Sequence, residues 1–128
     1  MKEKLLDLFE GNESYEVTYN GKGVSLNDYY SSSHWSNRHR LVKKYKPMLQ
    51  VMLEKAGVPQ MEEYAMVILY NSRHDPDNVV GLEKLVLDTM KKMGLIIDDS
   101  KKYYKFMAIL PEPEFKQNTF EFNIVKIK

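Results

Sequence analysis

Between residues 71 and 103 the chain reads NSRHDPDNVVGLEKLVLDTMKKMGLIIDDSKKY, with an acidic pair near either end. Asp75 and Asp77 stand one residue apart, with Asn78 directly after them; Asp98 and Asp99 are adjacent. Between the pairs lie an amphipathic segment, Gly94 and a short apolar run. Acids at both ends of such a unit can meet only if the chain folds back on itself. A helix of about a dozen residues followed by a return strand folds it back, because helical rise is only about 1.5 Å per residue. Clustered carboxylates repel one another, a cost commonly tolerated where a divalent cation neutralises it. The expectation is a metal site built from Asp75, Asp77 and Asp99.

At 128 residues the chain is long enough for one domain with a sizeable core and too short for two. Lysine plus arginine exceeds aspartate plus glutamate by one, 19 against 18, so overall charge does not point to an anionic partner. The distribution says more. From residue 29 to residue 53 there is no acid, while Arg38, Arg40, Lys43, Lys44 and Lys46 fall inside that window. The absence of cysteine removes a disulfide framework, a thiolate zinc site and a cysteine nucleophile together. No apolar run approaches membrane-spanning length, and the first residues, MKEKLLDLFEGNE, show no cleavable signal pattern. These features fit a soluble cytoplasmic protein with no membrane partner.

Periodicity sketches a mixed α/β domain of α+β type, with about four strands and two main helices. Residues 1–10 suit a short helix. Residues 15–20 alternate Tyr15, Val17 and Tyr19 with polar neighbours, as a half-buried strand does. A long helix is expected over 35–56, with Leu41, Tyr45, Met48, Leu49, Met52, Leu53 and Ala56 on its packed stripe. Arg40, Lys43 and Lys44 then occupy the opposite face. Pro47 predicts a kink or a split in that helix. Residues 62–70 form a strand whose continuous AMVILY run suggests an interior position in the sheet. A helix then runs from about Gly81 or Leu82 to Met93, followed by a brief apolar strand over 95–97. Residues 103–110 and 119–127 supply two further strands.

Each chemical motif has a plain structural reading beside the functional one. Asp, Pro and Asn are turn formers, and Asp77 or Asn78 would cap the following helix. A calcium EF-hand is excluded, because counting from Asp75 puts Val80 at the required glycine and Val86 at the required glutamate. Oxygen donors without thiolates leave magnesium or manganese. Lys84 and Asp88 are either a surface ion pair four residues apart or a cation aimed at a phosphate under attack. His34, His39 and His74 form no ligand pattern, though His74 and Arg73 lie beside the acids. Arg40, Lys43 and Lys44 are either a solvated face or phosphate contacts, with Tyr29, Tyr30 and Trp35 near enough in sequence to stack on bases.

Taken in order, these parts resemble the RusA-like Holliday junction resolvases, small homodimeric endonucleases of phage and prophage origin. The residues carrying the resemblance are Asp75-Pro76-Asp77-Asn78, Lys84 with Asp88, Gly94, and Asp98-Asp99. Upstream, Ser25-Leu26-Asn27 is similar to the family's Ser-x-Asn entry into its first long helix. The resemblance spans residues 15–127 and implies a RusA-like domain over 14–128 behind an N-terminal extension, 1–13. It implies magnesium, with manganese as a substitute, on Asp75, Asp77 and Asp99, with Asp98 adjacent and Lys84 as the catalytic cation. The implied reaction is paired hydrolysis of phosphodiesters across a four-way DNA junction by a homodimer, with Arg40, Lys43, Lys44, Arg73 and Asn27 on the DNA. Three residues more than the family spacing, about Val79-Val80-Gly81, precede the lysine helix and are expected as a bulged loop. A catalytically impaired DNA-binding relative, or a hydrolase of small phosphate esters, is the alternative.

Overall fold

The computed structural model describes residues 2–24, 29 and 35–127. Its elements in chain order are α1 (Lys2–Asp7), β1 (Glu13–Asn20), α2 (Trp35–Lys55), β2 (Glu63–Asn71), α3 (Pro76–Lys92), β3 (Tyr104–Pro111) and β4 (Thr119–Ile127). The strands make one mixed sheet in the order β1-β4-β2-β3. β4 runs antiparallel to both β1 and β2, whereas β2 and β3 are parallel and joined through α3. Parallel neighbours need a crossover connection, and the amphipathic α3 segment provides it.

β2 is central, as its unbroken apolar run requires, and residues 64–70 are all buried. Its alternation divides the sheet into two faces. Tyr64, Met66, Ile68 and Tyr70 join the main core, where they meet Leu82, Leu85, Val86 and Met90 of α3 and Leu49 and Leu53 of α2. Ala65, Val67 and Leu69 point to the other face, shared with Phe106, Ala108 and Leu110 through the β2–β3 register. The N-terminal residues lie against that second face. Lys2 pairs with Glu16 and Glu121, and the Phe9 ring packs edge-on to Phe106 at 5.4 Å.

Both main helices end the same way. After α2, Gly57 (φ 72) donates to Glu54 and Val58 donates to Leu53; after α3, Gly94 (φ 77) donates to Lys91 and Leu95 donates to Met90. This is the Schellman arrangement, which places a left-handed residue just past the helix and so favours glycine.

Several expectations are corrected. α2 is assigned as one helix through Pro47 from Trp35 to Lys55, so it is not split in two. Met48 is exposed, and Val42 takes a buried place on the packed side instead. Residues 95–97 are not a strand: Leu95 belongs to the helix cap, its carbonyl accepts from the Met61 amide, and Ile96 is buried while Ile97 faces solvent. α3 starts at Pro76 rather than near Gly81, so Val79, Val80 and Gly81 are helical turns and not a bulge. Proline at the first helical position needs no amide partner there and brings a helical φ, which explains the earlier start.

Candidate functional site

Asp75 occupies the N-cap position of α3 in an extended conformation (φ −73°, ψ 157°), and its carbonyl accepts from the Asn78 amide at 2.9 Å. Its carboxylate makes no capping hydrogen bond, so the capping role expected for Asp77 or Asn78 belongs by position to Asp75 and by side chain to none of them. Asp77 is exposed in the first turn. Neither carboxylate meets a cationic side chain among the described residues. The partial positive charge of a helix N-terminus is what tolerates two acids there. Both bear on Tyr70, whose phenol is held above its ordinary value by burial and then by the charges of Asp75 and Asp77.

The preceding loop is fixed by its own polar groups. The Tyr70 hydroxyl donates to the His74 carbonyl at 2.8 Å, the His74 amide donates to Ser72 Oγ at 3.2 Å, and Ser72 Oγ lies 3.1 Å from His74 Nδ1. Gly23 permits this packing, since a Cβ there would sit 3.2 Å from the His74 ring. The loop leaves the carboxyl end of β2 beside the carboxyl end of β3. A cavity of about 300 Å³ opens there, lined among others by Arg73, His74, Asp75, Pro111 and Glu112. The crevice beyond the carboxyl ends of parallel strands is where open α/β sheets hold their ligands. Arg73 is exposed on its rim.

Along α3 the side chains at 77, 84, 88 and 91 recur at intervals of seven, four and three, and so share one stripe. Lys84 Nζ lies 3.7 Å from Asp99 Oδ2. Lys91 lies 3.0 Å from Asp98 and 3.8 Å from Asp99. The Asp98 hydrogen bond raises the Lys91 ammonium above its usual value, and the same bond lowers the Asp98 carboxyl. The Asp98 carbonyl accepts from the Tyr64 hydroxyl at 2.9 Å, which fastens this acidic turn to the start of β2.

The expected pairing of Lys84 with Asp88 is replaced by two other contacts. Lys84 turns to Asp99, and the buried Asp88 receives the Tyr29 hydroxyl at 2.6 Å. Tyr29 is 1% exposed, so it is a clamp on α3 and not a stacking platform for bases. Arg40, Lys43 and Lys44 are exposed on α2, with Lys44 Nζ 5.5 Å from the Tyr45 ring centre. Asn27, Tyr30 and His34 lie outside the described residues.

The fold thus brings Lys84 to Asp99 and lines Asp75 along one cavity with Arg73. It does not draw Asp75, Asp77 and Asp99 into one metal-holding group, and no group of three His, Cys, Asp or Glu side chains does so among the described residues. Asp77 and Lys84 are separated by seven helical residues, roughly 10 Å along the axis. The donor chemistry still suits magnesium, which is held as a rule by one or two carboxylates together with substrate phosphate.

Two residues of this region belong to none of the sequence motifs. Glu83 is buried and accepts a hydrogen bond from the Tyr104 hydroxyl, in a cavity of about 320 Å³ that Lys84 and Lys105 also line. Its position, between Val79 and Val86 on the packed stripe, is the signal that an acid is held inside.

No family model and no curated protein matches the chain. No helix among the described residues is long and apolar enough to cross a membrane.

Proposed function

We propose that the chain is a RusA-like, magnesium-dependent, structure-specific endonuclease that acts in the cytoplasm on four-way DNA junctions as a homodimer. The observation that carries this reading is the exposed Asp75–Asp77 pair, free of any cationic side chain among the described residues, with Asp75 lining a cavity beyond two parallel strand ends. Asp75 and Asp77 would hold the ion. Magnesium, or manganese in its place, would neutralise the scissile phosphate and favour attack on it by water. Lys84 supplies a fixed cation for charge developing on that phosphate, and Asp99 orients its ammonium. Arg73 at the cavity rim and Arg40, Lys43 and Lys44 on α2 neutralise backbone phosphates on either side.

The deciding experiment is cleavage of a synthetic immobile four-way junction, with linear duplex as control, in magnesium and in EDTA. Paired nicks on the junction alone, abolished by EDTA and by Asp77→Asn, are expected. Asp77→Asn should bind the junction at least as tightly as the native chain, since it removes a negative charge. Junction binding without cleavage in magnesium or manganese would instead select a DNA-binding protein that lacks the reaction. The roughly 10 Å of helix between Asp77 and Lys84 favours that second reading.

A further inference from the structure

We propose that β3 is a self-recognition edge, and that two copies of this chain pair through it antiparallel, joining their sheets into one of eight strands. The two edges of the sheet differ in kind. Along β1 the exposed residues are Glu13, Ser14, Glu16, Thr18 and Asn20, the charged and polar protection usual for an unpaired strand. β3 carries no such protection between Phe106 and Leu110. Met107 is 45% exposed, and Phe106, Ala108, Ile109 and Leu110 are half-buried. Its outer main-chain groups meet no strand among the described residues.

The occupant follows from the order of side chains. A two-fold axis perpendicular to the sheet through Ala108 sets Phe106 opposite Leu110 on one face and Met107 opposite Ile109 on the other. Ala108, the smallest side chain of the run, meets itself at the axis. Lys105 of one copy then falls opposite Pro111 of the other, next to Glu112, so no like charges face each other. Every pair in the run is apolar and fits its mate in size, which a strand paired with an unrelated peptide would not need. Strand addition of this length covers less than the about 800 Å² per side of a standard interface, so dissociation on the order of micromolar is expected.

This geometry also bears on the reaction proposed above, and that part rests on that reading. The axis keeps both copies of α3 on one face of the joined sheet. Strand rise of ~3.3 Å per residue and strand spacing of ~4.8 Å put the two β2 ends that carry the acidic loops roughly 30 Å apart. Two centres related in this way can each address one strand of a two-fold symmetric junction.

The chain has no cysteine, which allows a clean test on the full-length protein without DNA. Opposite residues of an antiparallel pair have Cα atoms about 4.5–5.5 Å apart, inside the disulfide range of about 4.4–6.8 Å. Ala108→Cys should therefore cross-link to a dimer under mild oxidation, while Thr18→Cys on the β1 edge should not. Sedimentation of the native chain should show reversible dimerisation from the 15.1 kDa monomer. Met107→Lys changes a side chain that already faces solvent, and should weaken the dimer about tenfold or more while leaving unchanged the thermal unfolding of the monomer, measured at nanomolar concentration. A chain that stays monomeric from micromolar to millimolar concentration overturns the proposal. So does a dimer in which Ala108→Cys fails to cross-link, or Thr18→Cys cross-links as readily. None of these readouts depends on cleavage, so failure here and failure of the nuclease reading are separate results.

Discussion

At the N-terminal end of α3, Asp75 and Asp77 stand exposed, with no cationic partner among the described residues and only the helix end to favour their charge. Beyond its C-terminal end, Asp98 and Asp99 sit in contact with Lys84 and Lys91, and the Asp98 backbone is fastened to Tyr64. The same residue type, twice over, is thus left open at one end and satisfied by the protein's own cations at the other. An acid already neutralised has little to gain from a metal ion. An open pair gains all of the ion's attraction, so under the proposed reading charge satisfaction, more than residue identity, tells the end that would bind the ion from the end that braces the fold.

That contrast can be broken most sharply at Lys84, which lies on the helix stripe between the two ends and touches Asp99. If Asp99 holds it in place for phosphate chemistry, Lys84→Ala should lower junction cleavage about 10²–10³-fold, roughly 2.7–4 kcal/mol, as loss of one preorganised donor does elsewhere. Its effect on denaturant stability should be small, since the Lys84–Asp99 contact is partly solvated. Equal losses of activity and stability would assign the lysine to the scaffold.

A smaller effect separates the two acid pairs directly. Magnesium at ten times its dissociation constant should stabilise the native chain by about 1.4 kcal/mol through mass action, read as an upward shift of the thermal midpoint. The joint substitution of Asp75 and Asp77 by Asn should abolish the shift, and Asp98→Asn should leave it intact. A shift lost only in the Asp98 variant would reverse the assignment of the two ends.

Much of the frame was legible from local patterning. The run AMVILY suggests an interior strand and is one, and the 119–127 alternation marks β4 over Thr119–Ile127. The glycine stops were equally plain, because Gly57 and Gly94 each perform a task that a side chain would strain. What patterning missed was decided by pairing across the chain. Nothing near Asp88 in sequence announces Tyr29, 59 residues away, as its partner. Leu95, Ile96 and Ile97 carry strand propensity, yet the Schellman cap had already claimed the Leu95 amide. Pro76 suits a turn and a first helical position equally well by type; as the first residue of α3 it sets the acidic pair on a helix end rather than in a loop.

The burial of Glu83 against Tyr104 has a consequence for how the molecule responds to acid. Burial first, and Asp99 after it, raise the Glu83 carboxyl above its usual 4.5; the Tyr104 hydrogen bond and Lys84 pull it back only in part. The folded chain therefore holds this proton more tightly than the unfolded chain does. Between 4.5 and the raised value the native state binds more protons, so stability falls as pH rises through that window and is fullest below it. Denaturation midpoints across that window should show the slope in the native chain, and Glu83→Gln should flatten it. Where most proteins lose strength on mild acidification as their carboxylates are neutralised, the seam between α3 and β3 should tighten.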